Sequence, residues 1–135
     1  MAVILPARAK SMAWSAKYFD RTFGVLLLVG SALHSYGSIS FYKIGSQELV
    51  WALSGSLAGG LTAAINLVRS GRPDDISIAW VSCVASVCWL AVAIGFGLAI
   101  GNVFDLRVLW HATCALVLGV FSLRTAIGYA YALPG

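Results

Sequence analysis

Charge is scarce in this sequence. Of 135 residues, 10% are Asp, Glu, Lys or Arg and 60% are hydrophobic, with a mean hydropathy of +0.88. A soluble domain carries about 25% charged residues, so these few cannot cover an ordinary water-facing surface. Acids are rarest: Asp20, Glu48, Asp74, Asp75 and Asp105 are the full set. Each falls beside or between long neutral runs, so no carboxylate is expected within the membrane to exchange a proton for a substrate. The three cysteines, Cys83, Cys88 and Cys114, are odd in number. Cys83 and Cys88 point to different sides of a helix, which argues against a disulfide framework and makes small apolar fillers of them. No CxxC pair or carboxylate stands near a histidine to complete a metal site, so no metal other than haem iron is expected. No nucleophile has a credible base beside it, and catalytic activity of the chain's own is not expected.

Long apolar runs are what the sequence has instead. A run of about 18 or more such residues is long enough to cross the hydrocarbon of a bilayer as a helix. Four qualify, at about 22–42, 49–68, 76–101 and 106–128. They are continuous and rich in Ala, Leu and Gly, without the alternation of a β-barrel. The fold expected is all-α: an integral membrane four-helix bundle in one domain, residues 1–135. Short connections, roughly Lys43–Glu48, Arg69–Asp75 and Asn102–Asp105, make consecutive helices antiparallel neighbours. Arg8, Lys10, Lys17, Arg21, Arg69, Arg72 and Arg124 then share one face, against Lys43 and Arg107 on the other. Basic residues stay on the cytoplasmic side, which puts both termini there, in the plasma membrane or bacterial inner membrane. The net charge of +4 follows from this topology and from attraction to anionic lipid, without a nucleic-acid partner.

Residues 1–21 form a cytoplasmic or interfacial leader. Lys10, Lys17 and Arg21 share one face of a helical wheel, with Met12, Ala16 and Phe19 opposite. That is the pattern of a short interfacial helix preceding the turn into the membrane; a disordered basic leader is the alternative. Phe23–Val29 followed by Gly30 and Ala32 imitates a signal-peptide cleavage site, but the neutral stretch continues to Tyr42, as a span does. Trp51 and Trp110 mark the outer interface, and Trp80, Tyr129 and Tyr131 the inner one; Trp89 falls mid-span. The stretch RSGRPDD reads as a solvated turn.

Two polar stripes stand out. Ser31, His34, Ser35, Ser38 and Tyr42 fall within about a third of the first helix's circumference, with Leu27, Leu33, Ile39 and Phe41 mostly away from it. His111, Cys114, Ala115, Ser122, Thr125 and Tyr129 share a face of the fourth helix. Such stripes belong inside the bundle, where hydroxyl and imidazole groups find partners. At a rise of about 1.5 Å per residue, His34 sits ~3 Å and His111 ~7 Å outward of mid-span. Histidines at similar depths on two helices can lock the helices together, bind a quinone, a proton or another small ligand, or ligate a b-type haem from both sides. Gly30 and Gly37 would reduce the bulk around His34.

Small residues recur every fourth position: Gly55, Gly59 and Ala63 on the second span, Ala93, Gly97 and Gly101 on the third. Such spacing lets helix backbones approach closely, so spans two and three are expected to pack tightly, or to meet a partner. Gly95–Gly101 resembles a dinucleotide-binding glycine loop only superficially, since no strand precedes it. Together these features suggest a small accessory or assembly subunit of a larger membrane complex, with lipid and other membrane subunits, or copies of itself, as partners. Two further readings stand beside it: an electron-transfer module with haem b on His34 and His111, and a small-solute carrier or channel.

Overall fold

A computed structural model describes the backbone of residues 7–130 and the side chains of 17–128. It is all-helical: α1 Ala7–Phe41, α2 Gln47–Ser70, α3 Ile76–Ala99 and α4 Leu106–Ala130. All four are long and apolar enough to cross a membrane, over Lys17–Phe41, Gln47–Ser70, Ile76–Ala99 and Leu106–Gly128.

Each break in the chain has a local cause. Gly45 and Gly101 take φ of 84° and 70°, a left-handed backbone that glycine adopts without steric cost. The Ser46 hydroxyl accepts the Leu49 N–H at 3.2 Å and the Asp75 carboxylate the Ile78 N–H at 3.0 Å, capping α2 and α3. Asp105 accepts the Arg107 N–H at 2.9 Å where α4 begins.

α1 departs from expectation. It runs unbroken from Ala7 to Phe41, so among the described residues no break in the helix separates the leader from the first span. The physical reason is the absence of any Gly or Pro between Pro6 and Gly24: good helix formers such as Ala, Lys and Arg let the helix propagate. Phe19, Lys17 and Arg21 are exposed; the side chains of Lys10, Met12 and Ala16 lie outside the described residues, as do those of Tyr129 and Tyr131.

The helices form a closed ring of neighbours. α1 packs most extensively on α2 and α3 on α4; the α1–α4 and α2–α3 seams are smaller, and α2 touches α4 only slightly. The expected tight pairing of α2 with α3 is therefore among the weaker contacts, because their small residues serve other neighbours. A Cβ added at Gly59 would lie 2.6 Å from Ser31 Oγ of α1 and 2.7 Å from Trp89 Cζ2 of α3. One at Gly97 would lie 3.1 Å from Val108 of α4 and 3.0 Å from the Val103 backbone. Ala63 and Ala93 are buried, whereas Gly55 meets nothing and Gly101 serves the turn.

The interior is built of small and polar side chains around few large ones. Leu27, Ala63, Trp89, Cys114, Ala115 and Leu118 form the apolar core, with Phe23, Leu26 and Leu90 against it. Leu27 is wholly buried, contrary to its placement away from the polar arc; it stands one helical turn from Ser31 and on the same side. Large apolar residues such as Leu33, Leu57, Val84 and Leu116 point outward. This inverts a soluble protein's pattern and presents the helices to lipid hydrocarbon.

Candidate functional site

The described polar groups gather at two levels of the bundle. At one, six side chains from all four helices join in a buried network. Arg69 Nη2 of α2 donates to Asp20 Oδ1 of α1 at 2.6 Å. Its Nη1 donates to Thr125 Oγ1 of α4 and its Nε to Asn66 Oδ1, each at 3.4 Å. The Asn66 amide donates to Ser86 Oγ of α3 at 3.0 Å, and Ser122 Oγ of α4 donates to Asn66 Oδ1 at 2.9 Å. Asp20, Asn66, Arg69, Ser86 and Ser122 are all buried. The expectation that every acid lies in a flank or loop is thus corrected at Asp20. The extension of α1 carries its carboxylate inward, and Arg69 supplies the opposite charge that a buried carboxylate needs.

At the other level, a cavity of about 540 Å³ lies between α1 and α4, with Phe96 of α3 on its wall. His34, Gly37 and Ser38 line it from α1, Tyr42 from the residue just after α1, and Arg107, Trp110 and His111 from α4. The two histidines therefore face one space. Leu33, Phe41 and Leu106 form its rim and are 62%, 83% and 76% exposed, so the cavity is continuous with the lipid-facing surface.

Several polar groups here already have partners. Ser31, Ser35 and Ser38 donate to the carbonyls of Leu27, Ser31 and His34, one turn back in their own helix. The stripe's serine hydroxyls thus close on α1 itself. Trp110 Nε1 donates to the Leu26 carbonyl at 3.0 Å, an approach that Gly30 allows: a Cβ there would lie 2.6 Å from the indole nitrogen. Gly37 is different. A Cβ on it would meet nothing within 4 Å, so it borders open cavity. Cys114 is buried in the core and does not reach the cavity.

Arg107 grips Asp105 through Nε at 2.8 Å and Nη2 at 2.9 Å, and its guanidinium carbon lies 5.4 Å from the Phe96 ring centroid. The side-chain bond to Arg107 is the largest cause holding the Asp105 carboxyl down to about 2. A carboxyl lowered on folding keeps its favourable charge above its ordinary pKa and loses it only as pH falls through the lowered one. The pair therefore stays charged throughout the neutral range.

His111 carries the most specific information. Trp89 Nε1 donates to His111 Nδ1 at 3.3 Å, and the two rings meet edge to face with centroids 5.7 Å apart. An indole nitrogen can only donate, so Nδ1 holds a lone pair and the proton of the neutral ring sits on Nε2. A histidine that ligates iron or zinc through Nε2 commonly has the reverse arrangement, with Nδ1–H donating to a partner. With Trp89 donating to it, the His111 Nδ1 does not carry the proton that such a ligand donates. Among the described residues no three His, Cys, Asp or Glu side chains gather to hold a metal ion.

Sequence reasoning singled out both histidines and Gly37 but missed Asn66 and the pairing of Asp20 with Arg69. A lone amide in an otherwise uncharged span was the available signal for Asn66. Fold and surface define a small multi-pass membrane protein. No protein-family model matches the chain, and no curated protein or solved structure matches it.

Proposed function

We propose that the chain binds a small, membrane-soluble ligand in the α1–α4 cavity, within a bundle of antiparallel neighbours whose termini are both cytoplasmic. The observation that carries the reading is a cavity of about 540 Å³ into which two histidines from different helices face, with its rim on the lipid-exposed surface. Ligand pockets in proteins have volumes of about 300–1,000 Å³ and combine mostly apolar walls with a few placed polar groups. Ionisable side chains inside a membrane are costly and mark ligand or ion sites. A small-solute carrier or channel is less well supported, because the network around Arg69 and the core at Leu27 and Leu118 fill the other end of the bundle.

The test is to purify the full chain gently in detergent, extract it with organic solvent and identify what is released. Gly37→Leu is the matched control, since Gly37 lines the cavity and a Cβ there would meet no atom within 4 Å. A compound released from the native chain and missing from Gly37→Leu supports the reading; identical extracts overturn it. A visible spectrum of the same sample that shows b-type haem, lost in His34→Ala or His111→Ala, would overturn the tautomer argument.

Membership of a larger complex is a second reading, favoured by Gly55 and Gly95. Neither would meet any atom within 4 Å if it carried a Cβ, so each leaves room for another helix to approach. A protein that co-purifies with the native chain and is lost from Gly55→Leu supports it.

A further inference from the structure

The polar inventory of the cavity narrows the ligand to one chemical class, an inference that rests on the binding reading above. Ser38 and Trp110 have already directed their protons to the His34 and Leu26 carbonyls. Among the described residues Arg107 is the only cation on the wall, and Asp105 matches its charge at 2.8 Å. No carboxylate among the described residues lines the space. An ammonium ligand would enter without a counter-ion, and an anionic one would have to compete with Asp105 for Arg107. Burying an unpaired charge is strongly unfavourable, so a neutral ligand fits this lining best.

The unused groups set its polarity. Trp89 holds the Nδ1 of His111, which leaves Nε2–H as the group that ring can offer the cavity. This proton has a fixed location and can only be donated, so it calls for an acceptor such as a carbonyl oxygen. The His34 imidazole and the Tyr42 hydroxyl have no hydrogen-bonding partner among the described residues and supply a second polar contact. The walls between these groups are aromatic: Phe41, Tyr42, Phe96 and Trp110. Aromatic faces and edges favour a flat ring in offset-stacked or edge-on contact. The lipid-facing rim at Leu33, Phe41 and Leu106 lets an apolar tail remain in the bilayer while the ring enters.

We infer that the α1–α4 cavity binds the neutral head ring of a quinone, with one ring carbonyl accepting the Nε2–H of His111 and the aromatic wall packing on the ring. Binding is the whole of the assignment. No electron transfer is attached to it.

The experiment uses the full chain in phosphatidylcholine nanodiscs, titrated with a decyl-substituted benzoquinone while tryptophan fluorescence is followed. Gly37→Leu nanodiscs supply the baseline for quenching by quinone dissolved in lipid. Saturable quenching above that baseline is expected. His111→Phe should weaken it by about tenfold or more, as loss of one buried hydrogen bond to a carbonyl does. Cys88→Ala, at an exposed position, should leave it unchanged. Decylbenzene, which has the tail and a ring but no carbonyl and does not itself quench, is read by displacement of the quinone and should compete about tenfold more weakly. Helicity of His111→Phe is checked in parallel, and Gly37→Leu tests the same cavity without touching the histidine.

Decylbenzene binding as tightly as the quinone would overturn the carbonyl assignment. Diacylglycerol or dodecyl phosphate retained through repurification by the native chain and not by Gly37→Leu, with no saturable quenching by the quinone, would overturn the quinone class and leave the cavity reading intact. If no probe distinguishes native chain from Gly37→Leu, both fall.

Discussion

Trp89 has a single polar atom, and the N–H it carries reaches Nδ1 of His111 at 3.3 Å. This contact explains a tryptophan in the middle of a span, where an interfacial anchor has no role. It also converts an ambiguous imidazole into a one-directional donor. Trp89→Phe removes the donor and keeps an aromatic ring near Gly59. Loss of the hydrogen bond should destabilise the bundle by about 1 kcal/mol, with a further contribution from the volume lost in the core. The sharper readout is nitrogen NMR of histidine-labelled protein. In the native chain the His111 proton should sit on Nε2, and in Trp89→Phe the Nδ1–H form should gain population. A native His111 protonated on Nδ1 would sink both the tautomer assignment and the quinone inference. Gly30 belongs to the same local design, since only a residue without a Cβ lets the Trp110 indole reach the Leu26 carbonyl.

The helices were legible in the sequence because lipid imposes one rule on every span, a long run with almost no charge. Their ends and phases were harder to read. Using charge as a boundary stopped the first span at Arg21 and left Asp20 outside, although Asp20, Leu27, Ser31 and Ser38 are spaced by near-whole turns and share one buried side of α1. The pairing of Asp20 with Arg69, like that of Trp89 with His111, joins residues on separate helices, and no local pattern encodes it. The histidine and serine stripe was readable from period alone, but the hydroxyls' return to their own helix was not. The α1–α2 contact carries a direct test. Removing either partner of a buried ion pair costs about 3–5 kcal/mol, whereas replacing both with apolar residues is often close to neutral. Asp20→Ala and Arg69→Ala should each lower resistance to SDS unfolding by that order. The double variant Asp20→Leu with Arg69→Met should recover most of the loss. Additive losses would show that the two side chains do not stabilise the bundle as a pair.

The two levels of polar structure are unlike each other. One is a closed network in which no buried side-chain nitrogen or oxygen among the described residues lacks a hydrogen-bond partner; the other is a cavity with donors still to be used. The basic residues divide along the same axis. Lys17, Arg21, Arg69, Arg72 and Arg124 accompany the network's helix ends, while Lys43 and Arg107 accompany the cavity's. Because lysine and arginine are retained on the cytoplasmic side, the network should lie towards the cytoplasm and the cavity in the opposite half of the membrane. Single-cysteine labelling in intact cells tests this after Cys83, Cys88 and Cys114 are replaced by Ala. Gln47→Cys, at the start of α2 beside the turn that carries Lys43, should react with an impermeant maleimide from outside. Ser77→Cys, beside the Arg69–Asp75 turn, should react only after the membrane is opened. The reverse pattern would invert the orientation without affecting the cavity. It would also move the source of the ligand: a rim in the outer half draws from the outer leaflet, whereas one in the inner half would draw from the leaflet that faces the cytoplasm.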